Sequence, residues 1–184
     1  VTAVFMGGLG LGGYLGGVLV DRLHARRGHA FPLKLYARAE VAIAGLGLLL
    51  AFLLPSLEPF SASISAYVTD ARGWHHLTVG SYVVRYLLAL VLLLPVTTIM
   101  GATLTVLIRF LLASDLGQSG WRVGVLYGVN TAGAALGAFL SDFLLVPALG
   151  LQQTQLLAVA FNLVAAVAAM RLVGLAARGG AEEA

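Results

Sequence analysis

Residues 7–22 read GGLGLGGYLGGVLVDR, an apolar and glycine-dense run that ends in an aspartate and an arginine. Its glycines recur every four residues, at Gly8, Gly12 and Gly16. Small residues at that spacing form one stripe along a helix and let two membrane helices approach closely. The run therefore predicts a transmembrane helix that packs tightly against a second helix.

The same run contains a G-x-G-x-x-G pattern at Gly8, Gly10 and Gly13. That pattern marks a dinucleotide site when it joins a strand to a helix and an acidic residue follows about 20 residues later. No such acidic residue follows here, and the surrounding sequence is a helical apolar run. We expect no nucleotide and no other cofactor.

The composition places the chain in a membrane. Hydrophobic residues make up 60% and charged residues 10% of the chain, whereas soluble domains carry about 25% charged residues. Cysteine is absent, which excludes disulfides and thiolate chemistry. The net charge of +3 is small and indicates no nucleic-acid partner. Abundant alanine, glycine and leucine, with arginine preferred to lysine, indicate a GC-rich bacterial source. We therefore expect the membrane to be the bacterial inner membrane.

Hydropathy predicts an all-α bundle of five transmembrane spans. They lie at about 1–21, 35–55, 79–113, 123–146 and 154–175, and a span needs about 20 apolar residues. A polar segment covers 56–78, and 176–184 form a polar tail. The third span is long, and Pro95 and Gly101 predict a kink in it because proline removes a helical hydrogen bond. A re-entrant or two-piece segment is the alternative.

Basic residues in the short loops predict the orientation, because they favour the cytoplasmic side. One side carries most of them, namely Arg22, Arg26, Arg27, Lys34, Arg109, Arg122, Arg171 and Arg178. The other side carries Arg72 and Arg85. We therefore expect residues 56–78 outside and the C-terminus in the cytoplasm.

The chain repeats weakly when it is shifted by 121 residues. Gly12 then aligns with Gly133, Gly16 with Gly137, and Asp21 with Asp142. Spans one and four cross in opposite directions, as equivalent helices of inverted repeats do. The repeat predicts a six-helix unit of two inverted three-helix repeats, with one further helix upstream of span one. Gly133 and Gly137 would form a second packing stripe.

Several blocks carry a family resemblance. Residues 17–22, GVLVDR, followed by Arg26 and Arg27, resemble the signature between helices two and three of the major facilitator superfamily. Further blocks are similar to the membrane part of bacterial fused major-facilitator/spermidine-synthase-like proteins, namely residues 5–22, Leu35 and Tyr36 with Glu40, LLLP at 92–95, MGATL at 100–104, LY at 126–127, NTAGAALG at 130–137 and LVPALGL at 145–151. They follow the family's order over most of the chain.

The resemblance implies a membrane module that is not catalytic by itself. The family's aminopropyltransferase-like domain and its first helix have no counterpart in these residues. Asp142 stands where the family more often has a small or apolar residue, and Thr105 where proline is frequent. The residues also contain no Ser/His/Asp set, no Cys/His set and no phosphate loop, so we expect no enzymatic activity from them.

Charged residues near the cytoplasmic ends of the first two spans are candidate functional groups. Asp21 and Arg22 predict a charge latch, with Asp21 near a helix N-terminus or paired with an arginine; an interfacial anchor is the alternative. Arg38 and Glu40 are two residues apart and should point to different faces. An ionisable residue inside a membrane usually faces the bundle interior, so we expect Glu40 to pair across helices.

Four more polar residues lie inside the predicted spans. Arg85 and Asp142 are expected partners between spans three and four. Asn130 and Asn162 are expected either to hydrogen-bond between helices or to bind a ligand.

The external segment holds four groups that metals use. His75 and His76 are adjacent and share the segment with Glu58 and Asp70. They lack the spacing of a zinc site, so we expect no metal.

Three functions follow from these features. The first is a membrane module that anchors or scaffolds a spermidine-synthase-like domain. The second is an accessory transmembrane subunit of a larger membrane complex, which docks through its glycine stripes. The third is half of a transporter for a small, polyamine-like solute, in which Asp21, Glu40 and Asn130 would be required. In each case the partners are the lipid bilayer and other transmembrane helices or subunits.

Overall fold

A computed structural model describes residues 1–27, 30–69, 71–114 and 119–182, excepting the side chains of 24–27, 58, 113–114, 119 and 176–182. The helices are α1 (Thr2–Arg27), α2 (Phe31–Ser63), α3 (Val79–Ser114), α4 (Ser119–Leu140) and α5 (Val146–Glu182). Strands β1 (Tyr67–Thr69) and β2 (His75–Leu77) pair as an antiparallel hairpin. The predicted all-α bundle is confirmed.

Four helical stretches are long and apolar enough to cross a membrane. They are Thr2–Leu23, Phe31–Leu57, Val79–Leu112 and Gly120–Leu175. These stretches agree with a multi-pass membrane protein, and the last of them contains both the fourth and the fifth predicted span.

The sequence predicted that the second helix ends at Pro55, but it does not. It continues through Pro55 and Pro59 to Ser63. Proline at position 55 removes the N–H that would bond the carbonyl of Ala51, four residues earlier. The side-chain amide of Gln152 on α5 donates to that carbonyl at 3.4 Å. The neighbouring helix therefore supplies a donor that the proline takes away.

The third helix is continuous over its 36 residues, which excludes the two-piece alternative. Pro95 lies inside it without a break in the helix. The hydroxyl of Thr97 donates to the carbonyls of Leu93 and Leu94, at 2.9 and 3.2 Å. It does not reach the carbonyl of Val91, the acceptor that Pro95 leaves without its helical donor.

The last two predicted spans are not separated by a loop at Pro147. A π-helical turn, Ser141–Leu145, joins α4 directly to α5, and the predicted tail is helical as far as Glu182. Gly150 interrupts this helical path, with φ 80° and ψ 167°. Only glycine adopts such angles without strain. Beyond Gly150, α5 runs antiparallel to α2, since Gln152 contacts Ala51 and Ala169 packs with Ala37.

The bundle core forms where α2, α3 and α5 meet. Leu33 and Ala37 of α2 pack with Ala169 and Val173 of α5, and α3 adds Leu107 and Phe110 to this cluster. At the opposite end, Gln155 donates to the carbonyl of Gly47 at 3.0 Å. These contacts place the start of α2 beside the end of α5, so the basic residues of both helices lie at one end of the bundle.

Candidate functional site

The glycine stripe of α1 forms a close seam with α3. A Cβ at Gly12 would collide with the backbone carbonyl of Thr98, and one at Gly16 would lie 2.8 Å from the Cα of Ala102. A Cβ at Gly8 would strike the Thr97 hydroxyl. Gly101, which the sequence assigned to a kink, is needed for packing, since a Cβ there would collide with the Leu9 carbonyl.

An ion pair lies at one end of this seam. Asp21 Oδ1 lies 2.6 Å from the Arg109 guanidinium, and both side chains are about half exposed. Since the contacts run from Gly8–Thr97 to Asp21–Arg109, α1 and α3 are parallel. The pair has the arrangement that the latch hypothesis requires, although an exposed ion pair contributes only about 0 to 1 kcal/mol.

Other members of the predicted latch lie beside this ion pair in sequence. The side chain of Arg22 is exposed. Arg26 and Arg27 belong to the last turn of α1, and their side chains lie outside the described part of the structure.

Helix α4 has no comparable partner among the residues that the structure describes. Every side chain from Tyr127 to Leu140 is exposed. A Cβ at Gly133 or Gly137 would have no atom within 4 Å, other than those of its own helix and chain neighbours. The predicted second stripe is therefore present in the helix and unoccupied, in contrast to its counterpart on α1.

Two polar residues share this uncovered region. Asn130 and Asp142 are both exposed. Across the described residues, Asp142 forms no ion pair, and the expected pairing with Arg85 is wrong. Arg85 instead donates to the Ser65 hydroxyl at 2.7 Å, because the segment that follows α2 folds over the start of α3. Asn162 donates to the carbonyl of Ala158 in its own helix at 3.1 Å.

Glu40 is buried, with 7% of its surface exposed. Its polar neighbour on α2 is Tyr36, one turn earlier. Over the described residues, no hydrogen bond or ion pair joins Glu40 to another helix, so the expected partner across helices is not found there. Arg38 points to a different face, as predicted, and is exposed.

Polar contacts between α2 and α5 escaped the sequence analysis. The amides of Gln152 and Gln155 both reach carbonyls of α2. Two glutamines three residues apart at the start of an otherwise apolar helix are the signal that could have revealed them, because residues at that spacing share a face.

A groove of about 550 Å³ lies between α2 and α5 at the basic end of the bundle. Its charged lining residues are Lys34, Arg38 and Arg171. Its apolar walls include Val41, Val167 and Met170.

The hairpin shows no metal-binding arrangement in its described residues. His75 Nδ1 lies 3.1 Å from the Thr69 hydroxyl. No group of three or more potential ligands comes together over the described ranges. Asp70 and the side chain of Glu58, which shared this hypothesis, lie outside them.

Comparisons with protein-family models, curated proteins and solved structures found no match to this chain. The geometry therefore has to carry the functional argument.

Proposed function

We propose that this chain is a non-catalytic membrane module that anchors or scaffolds by assembling with further transmembrane helices through α4. The observation that carries the proposal is the exposure of α4 from Tyr127 to Leu140, with the Gly133–Gly137 stripe uncovered. Lipid would cover apolar side chains equally well. The polar groups and the small-residue stripe are what favour a protein partner.

The polar side chains of α4 would be costly to expose to lipid, which favours a protein partner on this helix. An ionised aspartate costs about 2.5 to 3.5 kcal/mol at the centre of a membrane helix, and Asp142 lies in an apolar stretch without an ion-pair partner among the described residues. Asn130 lies three and seven residues before Gly133 and Gly137, so all three share one face. A partner helix on this face would both fill the stripe and bond the amide.

The α1–α3 seam indicates the chemistry of that partner. The shift of 121 residues maps Gly12, Gly16 and Asp21 onto Gly133, Gly137 and Asp142. On α1 these positions meet the backbone of Thr98, the small residue Ala102 and then Arg109. We infer a partner helix that runs parallel to α4, carries small or hydroxyl residues along one stripe, and ends in a basic residue beside Asp142.

Two sources of such a helix agree with the family resemblance. The partner is either the first helix of a six-helix major-facilitator-like unit or a helix of another subunit in a larger complex. The spermidine-synthase-like assignment rests on the sequence blocks alone, and it proposes that the module anchors a cytoplasmic domain of that kind. The basic end of the bundle would then face the cytoplasm of a bacterial inner membrane.

The test is the size of the assembly after mild detergent extraction. Gly137→Leu fills the stripe, and Phe139→Leu is the matched control on the opposite face of α4. We expect native electrophoresis to show the wild type and Phe139→Leu in one assembly, and Gly137→Leu outside it. Equal migration of all three proteins, together with equal thermal stability of all three, would contradict the proposal. Mass spectrometry of the assembly then identifies which source supplies the partner.

Glu40 supports a second candidate function, a half-transporter for a small, polyamine-like solute. A buried acidic residue inside a membrane span is a functional-site hypothesis by default, and Glu40 is buried with no ion-pair partner among the described residues. Proteoliposomes loaded with labelled spermidine test it. This candidate predicts flux that Glu40→Gln abolishes, and an absence of flux in the wild type would remove it.

A further inference from the structure

The groove between α2 and α5 takes no part in the assembly proposed for α4. Lys34 and Arg38 lie one turn apart on the same face of α2, and Arg171 reaches the groove from α5. All three side chains are exposed. Like charges at this helical spacing repel one another, so three cations around one groove form a local positive site that favours an anion.

The lining of the groove changes along the bundle axis. On α2, the cationic positions 34 and 38 precede Val41, and on α5 Val167 and Met170 precede Arg171. Because the two helices are antiparallel, both orders place the cations toward the end of the bundle and the apolar walls toward its middle. A membrane-facing groove therefore has a charged mouth and an apolar interior, which is the polarity of a phospholipid.

The positive charge has no acidic counterpart in the groove. Among the described residues, the lining contains no carboxylate. Glu40 is the nearest acidic residue in sequence to Arg38, and it is buried and does not line the groove. An anionic headgroup would therefore meet cations that no described acid of the lining neutralises.

We propose that this groove binds one anionic phospholipid. Lys34, Arg38 and Arg171 hold the headgroup phosphate, and an acyl chain lies along Val41, Val167 and Met170. Basic pockets between transmembrane helices on the cytoplasmic side recognise anionic lipids in this way. Arginine suits the role because its guanidinium bonds phosphate through two N–H groups.

Native mass spectrometry of the purified full chain tests the proposal, with phosphatidylglycerol and phosphatidylcholine as the two probes. We expect one phosphatidylglycerol to be retained per chain, in preference to phosphatidylcholine. A cation near the headgroup contributes about 1 kcal/mol, or about fivefold in affinity. The double variant Arg38→Gln with Arg171→Gln should therefore bind about 25-fold more weakly.

Arg22→Gln is the matched control, since it removes one cation from the same end of the bundle but outside the groove. Its retention of phosphatidylglycerol should equal that of the wild type. Val167→Trp keeps every charge and fills the groove, so it should lower retention even where a charge variant folds poorly. Equal retention of the two lipids by the wild type would overturn the proposal. So would losses in Arg22→Gln as large as those in the double variant Arg38→Gln with Arg171→Gln.

Discussion

Replacing Gly12 of the α1–α3 seam with alanine should destabilise the fold. The same substitution at Gly10, outside the seam, should leave the free energy of unfolding unchanged. A Cβ at Gly12 collides with the backbone carbonyl of Thr98, whereas a Cβ at Gly10 has no such atom within 4 Å. The two substitutions, Gly12→Ala and Gly10→Ala, make the same chemical change in the same helix. They differ only in what the new methyl group meets.

The loss of stability in Gly12→Ala depends on which atom the new Cβ contacts. A backbone carbonyl cannot rotate away, so α1 must move off α3 along the whole seam. Overpacking of this kind costs about 1 to 3 kcal/mol, which is about 5- to 150-fold in the unfolding equilibrium. Gly8→Ala should cost less, because the Thr97 hydroxyl can rotate after losing its bonds to Leu93 and Leu94. The Cβ of Thr97, 2.8 Å from the new methyl group, then remains as the close contact, whereas Gly12 faces backbone atoms.

The assay is reversible unfolding of the purified chain in mixed micelles with rising denaturing-detergent content, followed by helical circular dichroism. We expect the order of stability Gly10→Ala, then Gly8→Ala, then Gly12→Ala, with Gly10→Ala within about 0.5 kcal/mol of the wild type. Equal free energies of unfolding for Gly12→Ala and Gly10→Ala would refute the close seam.

Two smaller effects follow from the polar contacts. Asp21→Asn should lower the free energy of unfolding by at most about 1 kcal/mol, since its ion pair is exposed. Exchanging the residues at positions 21 and 109 should restore the stability. A larger loss, or no restoration, would contradict the pairing. Gln155→Leu should cost about 0.6 kcal/mol, and at most about 1.7, for its interhelical hydrogen bond. Gln153→Leu, on an exposed neighbour, is the control in the same unfolding assay and should be neutral.

The sequence was sufficient for the helical class and for the close packing of α1. Hydropathy and glycine spacing are local properties, and they needed no knowledge of the neighbouring helix. The contact partner of a polar side chain, by contrast, depends on which helices lie side by side and could not be predicted from the local sequence. Asp21 and Arg109 are 88 residues apart in sequence, and nothing in either segment selects the other.

Helix ends were misjudged where tertiary contacts replaced local rules. The sequence ended the second span at Pro55, but the bundle supplies a donor from Gln152 for the carbonyl that the proline leaves free. Between the last two spans, Pro147 was taken as the break. The helical path continues through Pro147, and the non-helical backbone angles lie at Gly150 instead.

The central claim, that another helix covers the Gly133–Gly137 face of α4, is tested most directly by photo-crosslinking in native membranes. A photoreactive amino acid replaces Ala134 on that face or Phe139 on the opposite one. We predict a single discrete protein adduct from position 134, lost when Gly137→Leu is added, and lipid adducts from position 139. Lipid adducts alone from both positions would contradict the claim.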